Sequence, residues 1–184
     1  MELTSQQALP VSQDKAWTAL NDTAMLQAAI PGCESITAGA EPHHYEVAIM
    51  AAVGPVKARF KGKLRLEDIQ APTRYTLHFE GQGGPAGHGK GHASVRLEAT
   101  GANATLLHYT AHATVGGKIA QIGSRLVDMA AQKMAAEFFA NFNQALIDKY
   151  GVPPAEAPAA PAPVGWVARF VAWVRRLFGH VGER

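Results

Sequence analysis

Histidine is the residue of this sequence with the clearest capacity for chemistry, because an imidazole can transfer protons and bind metal ions. His88 and His92 lie four residues apart, and His108 and His112 have the same spacing on one face of a predicted strand. Residues four apart in a strand are separated by about 13 Å, too far for both to bind one ion directly. Alternation also directs His78, His108 and His112 outward. We therefore predict no metal site.

Three tyrosines supply the polar groups expected inside the protein, and we predict that a tyrosine hydroxyl orients an apolar ligand there. Tyr45, Tyr75 and Tyr109 lie at inward positions of predicted strands. These inward positions hold no Asp, Glu, His or Lys, so they offer no general acid or base. Cys33 follows a Pro-Gly turn and has no obvious activating base. The sequence favours binding of an apolar ligand over catalysis, and we predict a protein that is not an enzyme and has no catalytic residues.

Alternating apolar residues predict the strands that carry these side chains. In the clearest strand, residues 56–67, apolar residues alternate with lysines and arginines. The same period of two recurs at residues 44–50, 75–79, 93–98 and 107–115. Short connections between them predict an antiparallel meander. The run Gly81 to Gly91 lacks the Gly-Lys-Ser/Thr of a phosphate loop, and we predict a mobile loop at the rim of a cavity.

Helical patterns lie on both sides of the meander. Residues 11–20, with Ser12 as N-cap, and residues 23–30 predict two short helices, and a long helix is predicted from Ser124 to a stop at Gly151. A strand, two short helices, a curved meander and a long closing helix predict an α+β helix-grip domain over residues 1–150. In such a fold the sheet wraps around the last helix and leaves a cavity between them.

We predict that this cavity binds a hydrophobic ligand through the inner face of the sheet, an apolar lip and one face of the long helix. The predicted strand residues are Tyr45, Val47, Ile49, Phe60, Leu64, Tyr75, Leu77, Phe79, Val95, Leu107 and Tyr109. The lip comprises Ile119 and Ile122, and the helix contributes Met134, Phe138 and Phe142. The alternative is that these side chains pack against the helix and leave no room.

An amphipathic pattern follows a proline-rich segment at the end of the sequence. Residues 151–163 contain five prolines separated mainly by alanine, which predicts an extended linker. In residues 164–184 a helical projection places the large apolar side chains opposite the arginines, which predicts a helix lying in a membrane interface. Docking of this helix on protein is the alternative. The predicted membrane-binding residues are Trp166, Arg169, Phe170, Trp173, Val174, Arg175, Arg176, Leu177 and Phe178.

Charge and cysteine content limit the partners and the compartment. Residues 1–150 carry 13 Lys and Arg against 13 Asp and Glu, so we predict no nucleic-acid partner. The single cysteine, Cys33, excludes an internal disulfide and fits a reducing cytosol. Residues 1–20 lack the basic and apolar regions of a signal peptide. We expect a cytoplasmic protein that is peripheral on the inner face of the cell membrane.

Three spaced motifs resemble a known family. They are residues 30–34 (IPGCE), residues 53–62 (VGPVKARFKG) and residues 116–125 (GGKIAQIGSR). In this order they closely resemble the CoxG family, named for the G-subunit of carbon monoxide dehydrogenase, a branch of the START/Bet v 1-like SRPBCC superfamily, over about residues 1–150. The resemblance implies the helix-grip fold and an accessory role beside a molybdenum hydroxylase such as aerobic CO dehydrogenase. It also implies tethering of that enzyme to the membrane and carriage of a quinone, either menaquinone or ubiquinone.

Two other functions remain open. An assembly chaperone for the oxidoreductase would have an empty or plastic cavity. A cyclase or hydrolase of the same superfamily would require a buried polar pair, which the inward positions do not provide.

Overall fold

The structure is a computed structural model that describes residues 1–151. The predicted linker beyond residue 151 and the predicted membrane-interface helix, residues 164–184, lie outside the described residues. The elements within residues 1–151 are, in order, β1 Glu2–Leu9, α1 Gln13–Leu20, α2 Thr23–Ala29, β2 Cys33–Ala38, β3 His44–Val53, β4 Val56–Gln70, β5 Arg74–Gln82, a 3-10 turn Gly84–Ala86, β6 His88–Gly101, β7 Ala104–Gly116, α3 Lys118–Gln121 and α4 Ser124–Tyr150.

One antiparallel sheet contains every strand of the described region. The strand order is β1-β7-β6-β5-β4-β3-β2, so consecutive strands from β2 to β7 are neighbours and β1 closes the far edge beside β7. The long helix α4 follows the last strand and begins at the predicted Ser124. Gly151, with φ of 65°, ends the helix in the left-handed region that favours glycine. This architecture confirms the predicted α+β helix-grip fold.

The glycine-rich run is more regular than predicted. β5 continues to Gln82, a 3-10 turn covers Gly84–Ala86, and β6 begins at His88, so most of the predicted loop is strand. Glycine has no side chain, so the backbone of this run can pass very close to the neighbouring strands. A Cβ on Gly91 would collide with the carbonyl oxygen of His112. Missing side chains weakened the alternating pattern in the sequence, although the backbone pairs as a regular ladder.

The hydrophobic core fills one end of the space between sheet and helix. The second half of α4 contributes Phe139, Phe142 and Leu146, which pack with α1, α2 and the nearby strand ends. The other members of this buried cluster are Leu9, Val11, Ala16, Ala19, Leu20, Met25, Ala29, Leu97 and Leu107. The core therefore anchors only the second half of the long helix.

Asp22 joins α2 to the end of α4. Its carboxylate accepts hydrogen bonds from the backbone N–H groups of Ala24 and Met25, at 2.9 and 3.3 Å, and caps α2. The same carboxylate accepts a hydrogen bond from Lys149 Nζ at 2.7 Å. These bonds, led by the one from Lys149, hold the pKa of Asp22 below its ordinary value.

We expect Asp22→Ala to lower the free energy of unfolding by about 1 kcal/mol at pH 7, the usual effect of losing a helix N-cap. Since folding lowers the pKa of Asp22, the ionised carboxylate stabilises the protein above about pH 4, and this stabilisation disappears as the pH falls through the folded-state pKa. Urea denaturation of both proteins at pH 7 and at pH 3 checks this. Lys149→Gln, which leaves the cap in place, should lower the free energy of unfolding at pH 7 by less than Asp22→Ala does. If Asp22→Ala lowered the free energy of unfolding by the same amount at pH 7 and at pH 3, this result would contradict the argument.

Candidate functional site

A second space between sheet and helix is left open. It has a volume of about 340 Å³ and lies between the inner face of the sheet and the first half of α4. Its walls come from β3 to β7, α3 and α4. The lining residues are Met1, Val47, Ile49, Ala51, Val53, Phe60, Gly62, Leu64, Phe79, Glu80, Gly81, Gly89, Lys90, Ala113, Thr114, Val115, Ile119, Val127, Ala130, Ala131 and Met134.

Small residues on both walls create this space. Gly62, Gly81 and Gly89 lie side by side in register on β4, β5 and β6. Val47 and Val115 flank this glycine row on β3 and β7. Because Val47 and Val115 line the cavity, the row between them forms its floor without side chains. On the opposite wall α4 presents two alanines, at positions 130 and 131.

The inward positions around the cavity are apolar. Glu80, Lys90 and Thr114 also contribute lining atoms, but the strand register puts them in one row with Lys63, on the outward side. Among the described residues, therefore, no acidic or basic side chain occupies an inward position of this cavity. The arrangement can accept a hydrophobic molecule and provides no pair of groups for general acid–base chemistry.

Water reaches the cavity wall. Phe60, Leu64, Phe79 and Met134 are only partly buried, although they face the space between sheet and helix. Exposed apolar surface of this kind favours association with an apolar partner by about 25 cal/mol for each Å² that is removed from water. A ligand that covers these four side chains would gain free energy from the burial.

Seven of the predicted ligand-binding residues line this cavity. They are Val47, Ile49, Phe60, Leu64, Phe79, Ile119 and Met134. The remaining predicted residues do not line it; these are Tyr45, Tyr75, Leu77, Val95, Leu107, Tyr109, Ile122, Phe138 and Phe142. Leu107 and Phe142 belong to the buried core, and Val95, Tyr109 and Phe138 pack against that core. Ligand contact by any of these sixteen residues stays a prediction.

The tyrosines lie away from the cavity wall. Tyr75 is 7% exposed and meets the Trp17 ring edge-on, with ring centroids 5.6 Å apart. Burial raises the pKa of the Tyr75 hydroxyl, with a smaller contribution from Tyr45, so the phenol stays neutral at physiological pH. Tyr109 packs on Phe139, with ring centroids 5.3 Å apart. The predicted use of a tyrosine hydroxyl to orient a ligand therefore has no support in the cavity geometry.

The sequence did not single out the glycine row or the helix alanines as parts of the site. The signal was present, because Gly62, Gly81 and Gly89 carry the same inward parity as the apolar residues of their strands. The glycine row can be recognised only when β5 is paired with β6, and the predicted loop at Gly81 to Gly91 had interrupted both of these strands.

The comparisons with known proteins concern the same part of the chain. A sequence model of the family described as CoxG, the carbon monoxide dehydrogenase G-subunit, matches residues 6–147, which include every cavity residue except Met1. The chain belongs to the CoxG family. The family description names a subunit and no catalytic activity of its own. No curated protein is significantly similar to the chain.

Solved structures support the family fold. A conserved protein from Geobacillus kaustophilus is 26% identical, with a TM-score of 0.76 over 81% of this chain and 97% of that protein. A START superfamily protein from Mycobacterium smegmatis shares 10% identity and a TM-score of 0.63, over 80% and 98% of the two chains. The Zhui aromatase/cyclase from Streptomyces sp. R1128 shares 11% identity and a TM-score of 0.62, over 82% and 95%. The last two likenesses concern the fold alone.

The CoxG-family fold and the apolar cavity together suggest an accessory role that involves a hydrophobic ligand. Within residues 1–151, no helix combines the length and hydropathy needed to span a bilayer.

Proposed function

We propose that this CoxG-family protein is an accessory module, not an enzyme, that binds a quinone at the open cavity. The apolar cavity between the glycine row and the first half of α4 carries the proposal. Its inward positions provide hydrophobic contact without an acid–base pair. These properties suit a neutral lipophilic molecule better than a polar substrate that must be activated.

The size of the cavity restricts how a quinone would bind. A volume of about 340 Å³ is near the lower end of the range of roughly 300–1,000 Å³ for small-molecule sites. Such a space suits a ring and the first part of an isoprenoid tail, so the rest of a long tail would leave through the opening. Menaquinone and ubiquinone both fit this description.

The family supplies the proposed partner. Because CoxG is described as a subunit of carbon monoxide dehydrogenase, we propose that this protein recruits a molybdenum hydroxylase of that kind. The amphipathic sequence of residues 164–184 would hold the complex on the inner face of the cell membrane through aromatic and arginine side chains. Proximity to the bilayer would then help electrons from the enzyme reach the quinone pool.

Co-sedimentation with liposomes tests the proposal. The full chain and a variant with Trp166, Phe170 and Trp173 replaced by serine are mixed with anionic vesicles containing ubiquinone or menaquinone. We expect most of the full chain to pellet and most of the variant to stay in the supernatant, because the variant loses the apolar face of the tail. Protein recovered from the supernatant should carry extractable quinone in both cases.

Neutral vesicles serve as the control for the arginines, and binding to them should be weaker. Equal pelleting of the two proteins would contradict the membrane role of the tail. Absence of quinone from both proteins would contradict the carrier role and favour the assembly-chaperone alternative.

A further inference from the structure

Three histidines form a row across the outer face of the sheet. His78 on β5 is in register with His92 on β6, which is in register with His112 on β7. The ring centroids are 5.9 Å apart between His78 and His92 and 5.1 Å apart between His92 and His112. The spacing of histidines along a single strand does not reveal this row, because the three residues belong to three strands.

A carboxylate stands at each end of the histidine row. Glu67 Oε2 lies 2.9 Å from Nε2 of His78, and Glu2 Oε2 lies 3.7 Å from Nδ1 of His112. Histidines that bind metals usually donate their second ring N–H to a carboxylate or carbonyl, which fixes the tautomer and raises the basicity of the other nitrogen. The pairing leaves Nδ1 of His78, Nε2 of His112 and both nitrogens of His92 free of these carboxylates.

One of the two ring separations equals the separation expected for two imidazoles that bind the same ion. Two imidazoles on one tetrahedral ion, with metal–nitrogen distances of about 2.0–2.1 Å, place their ring centroids roughly 5 Å apart. The pair His92 and His112 already has this separation. His78 must turn toward His92, and its side chain is 38% exposed, so solvent leaves it room to do so. In the described part of the chain, no three potential ligands are arranged as a ready-made metal site, so ring rotation is required.

The charges beside the row are mixed. Arg65 is in register with His78 on its β4 side, but it also pairs with Glu67 at 3.1 Å. Lys90 and Glu80 face each other in the next row toward the β5–β6 turn. Lys63, which faces Glu80 from β4, and the N-terminal ammonium of Met1, which donates to the carbonyl oxygen of Ala113, add positive charge on this face. Metal binding therefore has to come from direct coordination by nitrogen and not from the surrounding charge.

We propose that His78, His92 and His112 bind one divalent transition-metal ion of the class that prefers imidazole, represented by Zn²⁺, Ni²⁺ and Cu²⁺. His92 and His112 provide the first two ligands, His78 the third, and water completes the coordination. Glu67 and Glu2 orient the outer imidazoles. The site lies on the opposite face of the sheet from the cavity, so it is independent of the proposed quinone binding.

Titration calorimetry with Zn²⁺ on the full chain, carrying no affinity tag, tests this site. We expect one ion per chain. His92→Ala should weaken binding about tenfold or more, and Glu67→Gln should weaken it by about tenfold, the usual effect of removing the partner of a metal-bound histidine. With Cu²⁺, electron paramagnetic resonance should show hyperfine splitting from nitrogen ligands in the parent chain and fewer such ligands in His92→Ala.

His108→Gln is the matched control, because His108 lies on the same strand as His112 and binds Glu98 at 3.2 Å, outside the histidine row. It should bind Zn²⁺ like the parent chain. Circular dichroism of each variant verifies that the fold is retained. Unchanged affinity in His92→Ala, an equal loss in His108→Gln, or no stoichiometric binding by the parent chain would each overturn the proposal.

Discussion

Replacing Phe142 by alanine is expected to lower the free energy of unfolding by about 3–5 kcal/mol. Phe142 is fully buried, and its ring stacks on Phe138 with centroids 5.6 Å apart and an angle of 17° between the planes. Alanine would remove the transfer free energy of a whole ring and leave a cavity where α4 meets the core. Single domains are usually stable by only about 5–15 kcal/mol, so this loss is a large share of the total.

Urea denaturation followed by circular dichroism measures this effect. A thermal melt of the same proteins should show Tm lowered by roughly 6–20 °C for a chain of this size. Phe142→Leu, which keeps much of the volume, should cost less than about 1.5 kcal/mol if the core repacks around it. A loss below about 1 kcal/mol in Phe142→Ala would mean that the second half of α4 does not anchor the fold.

The sequence was sufficient for the fold because its strongest patterns come from elements with one buried face. In β4, apolar residues alternate with Lys57, Arg59 and Lys61, and the structure places the charged set outward. The long helix was recognisable from its apolar stripe and its terminal glycine. β2, residues 33–38, had no such signal, because it is a short edge strand in which only Ile36 is buried.

The candidate site was harder to predict, because it depends on which strands are adjacent and in what register. Inward parity identified Phe60, Leu64 and Phe79, but parity also selected Leu107 and Tyr109, which face the packed end of the same surface. Whether an inward residue lines the cavity or packs in the core depends on its position along the strand and on where the core lies. Neither quantity can be read from alternation alone.

Register also explains the histidines. The row depends on the pairing of β5 with β6 and of β6 with β7. The first pairing spans the predicted loop at Gly81 to Gly91, and the second shifts between Ala99 and Gly101. Such a shift changes which residues face each other across two strands, so the alignment of His78, His92 and His112 could not be counted from loop lengths.

The double variant Gly81→Val and Gly89→Val is expected to weaken quinone binding by at least about tenfold, or roughly 1.4 kcal/mol. Both residues belong to the glycine row, and two isopropyl groups would project from the floor into the cavity. The backbone accepts these changes. A Cβ at Gly81 would approach only the Lys61 carbonyl oxygen, at 3.8 Å, and one at Gly89 would have no contact closer than 3.7 Å. Gly62 is unsuitable, because a Cβ there would lie 2.5 Å from the carbonyl oxygen of Glu80.

Binding of a short-tailed ubiquinone, measured by extraction after gel filtration, checks this expectation together with Tm. Since valine favours strands and glycine weakens them, Tm should not fall. Gln82→Val is the matched control, because Gln82 adjoins Gly81 but faces outward in register with Lys61. Unchanged quinone binding in the double variant would place the ligand outside this cavity. A loss confined to the double variant, with Tm retained, would show that the space above the glycine row holds the quinone, since the stability of the fold and the outer face are unaltered.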